Sequence, residues 1–241
     1  MKKLLLFIVL GLMSATVFSQ QKYKIGLKAT PLLFAWNRVF VPKEQPHESD
    51  GVKARLSAGV FFDYFFIGDN YAFSSGLTYT IKGGGIRFDS SLAYMVDVPI
   101  IEPTKHTRFV LQYIEIPVSV KLYTNEISTD MKLYFQVGVS GNILISAKVD
   151  NEKNFQIIEV KDSLTADTST AKLMKNFFPI EASLVFSTGI ELQMGENTYF
   201  FTGITFNHGL TNIDKFYEKA HRVGDFVLKN SYFGIDVGLK F

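Results

Sequence analysis

The stretch Gln112-Tyr113-Ile114-Glu115-Ile116-Pro117-Val118-Ser119-Val120-Lys121-Leu122-Tyr123 decides the fold. Taken at alternate positions, it puts Ile114, Ile116, Val118, Val120 and Leu122 on one face and Tyr113, Glu115, Ser119 and Lys121 on the other. A period of two belongs to a strand, because successive side chains of an extended backbone point to opposite sides. The division recurs from Pro179 to Met194, where Ile180, Ala182, Leu184, Phe186, Ile190 and Leu192 oppose Glu181, Ser183, Ser187, Glu191 and Gln193. It returns at the C-terminus, where Phe233, Ile235, Val237, Leu239 and Phe241 oppose Gly234, Asp236, Gly238 and Lys240.

Extended to the whole chain, the pattern predicts eight strands, at roughly 22–35, 52–67, 71–83, 109–124, 131–147, 179–194, 198–211 and 229–241. Gly68-Asp69-Asn70, Asn125 to Asp130 and Gly195-Glu196-Asn197 are short connections, and the four between them are long and rich in charge, Ser, Thr, Pro or Gly. Short and long strictly alternate. Transmembrane barrels produce that alternation, with tight periplasmic turns, longer outer loops and, for an even strand count, both termini on the periplasmic side. The expected fold class is therefore all-β: an eight-stranded antiparallel transmembrane β-barrel, both termini periplasmic, with short periplasmic turns and long extracellular loops. Pro117 cannot donate to a ladder, so a bulge is expected there.

The bulk properties agree. Of 241 residues, 47% are hydrophobic and 15% aromatic, yet beyond the first twenty no apolar run approaches the roughly 20 residues of a membrane helix. Lys and Arg number 25 against 23 acidic residues, with both signs scattered, which argues against a nucleic-acid surface and its concentrated basic stripe. The absence of cysteine excludes disulfides, thiolate catalysis and Cys-ligated metals. Lys2 and Lys3, the apolar run Leu4 to Leu12, and Val17 and Ser19 at minus three and minus one have the form of a signal peptide over residues 1–19. The mature domain is then 20–241, and no lipobox cysteine follows the leader.

A lipocalin-like soluble barrel would share the strand count but turn its apolar side chains inward. Three features favour the membrane: the apolar faces carry almost no charge, the opposite faces carry charges of both signs, and aromatics gather near strand ends. Tyr23, Phe66, Tyr71, Phe73, Tyr199 and Phe200 are expected to form a periplasmic girdle, and Phe34, Trp36, Phe109, Phe178 and Phe206 an outer one.

The terminal Phe241, with Leu239, Val237, Ile235 and Phe233 at alternate positions before it, resembles the C-terminal signal by which barrels are recognised for insertion, which implies the barrel-assembly machinery as a transient partner. Gly76-Leu77 with Ile81-Lys82-Gly83-Gly84, Tyr113-Ile114-Glu115-Ile116-Pro117 leading to Lys121, and Gly209-Leu210-Thr211-Asn212-Ile213 resemble the PorT-family outer-membrane β-barrel over essentially the whole mature chain. The resemblance implies outer-membrane localisation, outer-membrane lipids as surroundings, and a link to type IX protein secretion with its machinery as partners.

The expected lumen-facing charges are Lys24, Lys28, Lys53, Arg55, Asp63, Lys82, Glu115, Lys121, Lys132, Glu181, Glu191, Asp236 and Lys240. In a barrel this narrow they read first as a structural ion-pair network, and second as a path for protons or small ions. His47, His106 and His221 fall in predicted outer loops, and no metal spacing emerges. His208 lies near the outer end of the seventh strand, where lipid A-trimming barrels keep a histidine near a serine and a carboxylate, but Leu210 stands two positions on and no matching serine is found. Gly83-Gly84-Gly85 lacks the lysine-threonine pair and helix of a phosphate cradle and reads as a flexible strand exit. The loop 148–176, with a strand-like run Phe155 to Val160, reads first as a mobile surface loop and second as a partner-binding projection, and loop 84–108 carries an apolar patch, Tyr94 to Ile101, suited to pairing with a neighbouring edge or protein. No residue is assigned to catalysis, a cofactor or a metal. The leading function is a non-enzymatic barrel assisting an envelope assembly; a small passive channel and a lipid A-modifying enzyme are the alternatives.

Overall fold

Each period-two segment forms a strand, and its apolar side faces outward. The computed structural model describes residues 22–40, 47–49, 51–89, 104–149, 174–215 and 227–241. The leader 1–19, His221, Tyr94 to Ile101 and Phe155 to Val160 lie outside the described residues. The strands are β1 (Tyr23–Phe40), β2 (His47–Ser49), β3 (Lys53–Ile67), β4 (Tyr71–Lys82), β5 (Gly85–Asp89), β6 (Thr104–Tyr123), β7 (Met131–Val149), β8 (Ile180–Gln193), β9 (Tyr199–Gly209) and β10 (Val227–Lys240).

Eight of them close a ring in the order β6-β4-β3-β1-β10-β9-β8-β7 and back to β6, with neighbours antiparallel. The seam between chain ends is zipped: Gly26 pairs with Lys240, and Ile25 and Phe241 exchange backbone bonds of 3.0 and 2.8 Å. A closed ring leaves no barrel edge with unmet amides, the condition for strands in hydrocarbon. The start of β1 at Tyr23 and the end of β10 at Lys240 share one rim with the three tight connections, where Gly68 and Asp130 take positive φ (54° and 61°). In a transmembrane barrel that rim is periplasmic.

Burial is inverted relative to a soluble protein. Asp63, Glu181, Asp236 and Lys240 are at most 2% exposed, while Val60, Leu77, Val118 and Val139 are 42–51% exposed. Along β6, Tyr113, Glu115, Ser119, Lys121 and Tyr123 are buried, and Ile116, Val118, Val120 and Leu122 are exposed. Such an apolar belt far exceeds what a soluble monomer exposes and matches the outward face of a membrane barrel. The lipocalin orientation is excluded.

β1, β6 and β7, at 18, 20 and 19 residues, are longer than the expected strands and run about twice the 9–11 residues needed to cross, so they project from the outer rim. Other expectations are corrected. Loop 84–108 is strand at both ends: β5 pairs with the first residues of β6, and β2 pairs with β5, giving a small outer sheet. His47 and His106 therefore lie in β2 and β6 rather than in loops. Gly83-Gly84-Gly85 is a pinned kink, not a loose exit. Lys82↔Leu111 and Gly85↔Arg108 keep one register across it, Gly83 takes φ 106°, Phe109 N donates to Gly84 O (2.9 Å), and Gly84 N donates to Asn37 Oδ1.

Pro117 produces no bulge. It stays in register opposite Ser140, and its carbonyl accepts from Ser75 Oγ (2.8 Å). The β6–β7 irregularity falls between Gln112 and Tyr113 instead.

Candidate functional site

The lumen is the candidate site, because every polar face converges there. All thirteen charges expected inside occupy inward positions of their strands, and the structure sorts them into layers. Nearest the periplasmic rim, Lys121 Nζ donates to both oxygens of Asp63 (3.1 Å each), and Tyr123 OH donates to Oδ2 (3.1 Å). Lys240 Nζ donates to Glu191 Oε2 (2.5 Å) and to Tyr123 OH (3.1 Å), and lies 3.5 Å from Asp63. Lys132 sits in register opposite Glu191. Around these groups pack Phe61, Phe65, Tyr134 and Phe201, with Phe61 edge-on to Phe201 (5.4 Å) and Lys121 over Phe61 (4.5 Å). Lys24 sits over the Tyr199 ring at 3.6 Å, at the periplasmic mouth.

The middle layer joins Lys28 to Asp236 (3.8 Å), which also accepts from Thr30 Oγ1 (2.6 Å). Here a cavity of about 20 Å³, lined by Lys28, Thr78, Pro117, Lys121, Gln136 and Asp236 among others, has room for about one water.

In the outer layer Lys82 Nζ is 2.6 Å from Glu115 Oε1 and 3.6 Å from Glu181 Oε2. Tyr232 OH donates to Glu115 (3.1 Å), and Asn230 Nδ2 donates to Glu181 (3.0 Å) while Asn230 Oδ1 accepts from Asn37 (2.8 Å). With its amide oxygen toward Ser183 and Lys82 (3.0 and 3.1 Å), Asn142 donates to Ser140 Oγ (2.7 Å). Among the described residues, Glu181 Oε1 and Asn207 Oδ1 meet no hydrogen-bond donor. Arg55 Nη2 reaches the Phe109 carbonyl at 3.5 Å, and Lys53 lies in register opposite Ala35 near the outer mouth.

Above this layer the lumen is capped. Phe177 packs edge-on against Phe109 (5.3 Å), and Leu111, Ile213 and Leu228 are at most 1% exposed. Segment 210–215 is pinned there: Asn212 Oδ1 accepts from Asp214 N (3.0 Å) and Leu228 N (2.9 Å), and Ile213 O accepts from Phe178 N (2.9 Å). Charged groups this buried are tolerable only when paired and hydrogen-bonded, since an isolated one costs several kcal/mol. The arrangement therefore stabilises a filled interior, as expected for eight strands.

The girdles need two corrections: Phe109 and Tyr199 turn inward, Phe109 into the cap and Tyr199 beneath Lys24. Outward pairs such as Trp36–Phe206 and Phe66–Tyr71 keep the girdle role. The sequence reading also missed a serine. Ser231 lies in register opposite His208, but its Oγ accepts from Arg38 Nε (3.1 Å), so an arginine stands where a hydrolytic triad needs a carboxylate. The lumen tyrosines were readable from their parity with Glu115 and Asp236; the cap was not, because Phe177 and Ile213 lie outside any alternating run. Among the described residues, no group of three or more His, Asp or Glu side chains is placed to hold a metal.

No curated protein matches the chain. Among solved structures it is similar to Neisserial surface protein A (14% identity, TM-score 0.47, 91% of this chain and 96% of that one). It is also similar to OprG of Pseudomonas aeruginosa (12%, 0.42, 91% and 95%) and to the outer membrane protease OmpT of Escherichia coli (11%, 0.47, 94% and 99%). The model of the outer membrane protein beta-barrel domain matches residues 18–215. With that match over most of its length, the chain belongs to the outer membrane protein β-barrel domain family.

Proposed function

We propose that this barrel is a non-enzymatic, non-conducting anchor of the outer membrane that presents its outer extension to a larger envelope assembly. The carrying observation is the lumen, filled by three ion-paired layers and closed above by the Phe109–Phe177 cap. A wall of strands whose interior is packed has only its rims and outer projections left for work. β1, β6 and β7 rise beyond the membrane, and β2 and β5 widen the projection into a rigid platform for the long loops, where recognition commonly resides. The resemblance at Tyr113 to Pro117 and at Gly209 to Ile213 supports the PorT family, and with it type IX protein secretion as the assembly.

In this reading the chain is exported with residues 1–19, which are then removed. It is inserted by the barrel-assembly machinery through its last strand, a role supported by Phe241, which is 49% exposed at the seam. Gentle-detergent purification of the tagged mature protein from its native membrane, followed by mass spectrometry, tests the proposal. Retained secretion-machinery subunits, lost when residues 90–103 are deleted, are the expected result. Recovery of the barrel alone overturns the assembly role.

A further inference from the structure

In the outer layer a lysine, a carboxamide and two carboxylates from four adjoining strands meet at one point. Asn142 on β7 lies in register opposite Glu115 on β6 and Glu181 on β8, so a carboxylate flanks its side chain on each side. Lys82 reaches in from β4, beyond β6, and its Nζ touches all three. It is 2.6 Å from Glu115 Oε1, 3.1 Å from Asn142 Oδ1 and 3.6 Å from Glu181 Oε2. Ser183 Oγ donates to the same Asn142 oxygen (3.0 Å) and accepts from Asn207 Nδ2 (3.0 Å). Lys82, Asn142, Glu181 and Ser183 are 0% exposed and Glu115 is 4% exposed. The rings of Tyr113 and Tyr232 lie 5.1 and 5.5 Å from Nζ and close the site to solvent.

An amine exchanges with a carboxamide slowly in water, because the amine is protonated, the carbonyl is unactivated and the partners are dilute. Each obstacle is met here. Holding reacting groups in contact replaces a bimolecular encounter by an effective molarity of up to about 10⁵–10⁸ M. Glu115 stands within reach of the ammonium proton, and a neutral amine beside a neutral acid avoids the cost of two buried charges. Ser183 is placed to hold negative charge developing on Asn142 Oδ1. Glu181 Oε1 meets no donor among the described residues, which leaves it open to a proton in transit. Exclusion of water removes hydrolysis as the competing reaction.

We propose that Lys82 and Asn142 join in a self-catalysed isopeptide bond, with Glu115 as the proton acceptor, tying β4 covalently to β7 across β6. Lys82 passes one proton to Glu115, and the freed lone pair forms the bond from Nζ to Asn142 Cγ while the carbonyl electrons move onto Oδ1. A second proton leaves Nζ and reaches Nδ2 through Glu181. The Cγ–Nδ2 bond then breaks, the carbonyl re-forms and ammonia departs. Glu115 keeps its proton, so the total charge of the four groups is unchanged and no outside reactant is consumed. The lumen stays filled, and the inference stands apart from the anchor role.

Intact-mass measurement of the denatured mature barrel, followed by tryptic mapping, is the test. The bond leaves the chain lighter by one ammonia. Acylated Lys82 resists trypsin, so digestion yields one branched species joining residues 56–87 to 133–148. Lys82→Met and Asn142→Ala restore the full mass and free the 133–148 peptide. Glu115→Gln, folded as judged by its unboiled gel mobility, stays at full mass; should it fail to fold, the unaltered chain decides alone. Chain refolded from freshly synthesised, never-folded protein starts at full mass and loses ammonia only as the folded form appears. Full mass in the folded, unaltered barrel, with the 133–148 peptide recovered free, overturns the bond. So does a deficit that persists in Lys82→Met, which then arises elsewhere, as by cyclisation of an N-terminal glutamine.

Discussion

Replacement of Asp63 by alanine tests the packed lumen most severely. Asp63 is fully buried and accepts from Lys121 twice at 3.1 Å and from Tyr123 at 3.1 Å, with Lys240 at 3.5 Å. Its loss leaves two ammonium groups sharing Glu191 in a space closed to bulk water. Breaking a buried pair by deleting one partner costs about 3–5 kcal/mol. With a urea slope of about 2 kcal/mol per molar, the unfolding midpoint falls by about 2 M. The single tryptophan, Trp36, reports unfolding by fluorescence in detergent, and gel mobility before and after boiling gives an independent reading. Adding Lys121→Met to Asp63→Ala restores the balance, leaving Lys240 with Glu191, and recovers at least half of the loss. An unchanged midpoint, or a double variant no more stable than the single one, would falsify the charge accounting.

Other substitutions probe separate parts of the account. Val118→Arg, on the lipid face of β6, destabilises the barrel in lipid vesicles by about 2–4 kcal/mol, measured by urea titration; a neutral effect means that Val118 does not face hydrocarbon. Gly83→Val, at φ 106°, destabilises by about 1–3 kcal/mol through backbone strain, and retained stability in the same titration would show that the kink does not require glycine. In planar bilayers the unaltered protein gives no conductance steps above background, and Phe177→Ala with Ile213→Ala gives none either, because three ion-paired layers remain below the cap; sustained steps from the unaltered protein would favour the channel.

Much of the fold is legible in the sequence because a barrel wall obeys a local rule. Every residue from Ile114 to Leu122 takes its face from its parity, so the strand, its lipid side and the inward charges can be read together. Long-range pairing was not legible. That Lys121 meets Asp63 while Lys82 meets Glu115 and Glu181 depends on strand stagger around the ring, which alternation does not specify. The same applies to Ser231 opposite His208, residues 23 apart in sequence joined only by register. Where local rules compete, the reading failed: Pro117 suggested a bulge, but the register runs through it opposite Ser140. Phe109 counted as a girdle aromatic from its position near a strand end, yet parity with Glu115 already turned it inward.

The central claim, apolar faces in lipid around a filled polar lumen, is tested most directly by a cysteine scan of residues 114–123. The chain contains no cysteine, so each single substitution carries one fluorophore in the barrel folded into vesicles. The expected pattern is strict alternation, with labels at 114, 116, 118, 120 and 122 quenched by brominated lipid chains and those at 115, 117, 119 and 121 protected or disruptive to folding. Quenching with the opposite phase, or with no period, would contradict the transmembrane barrel.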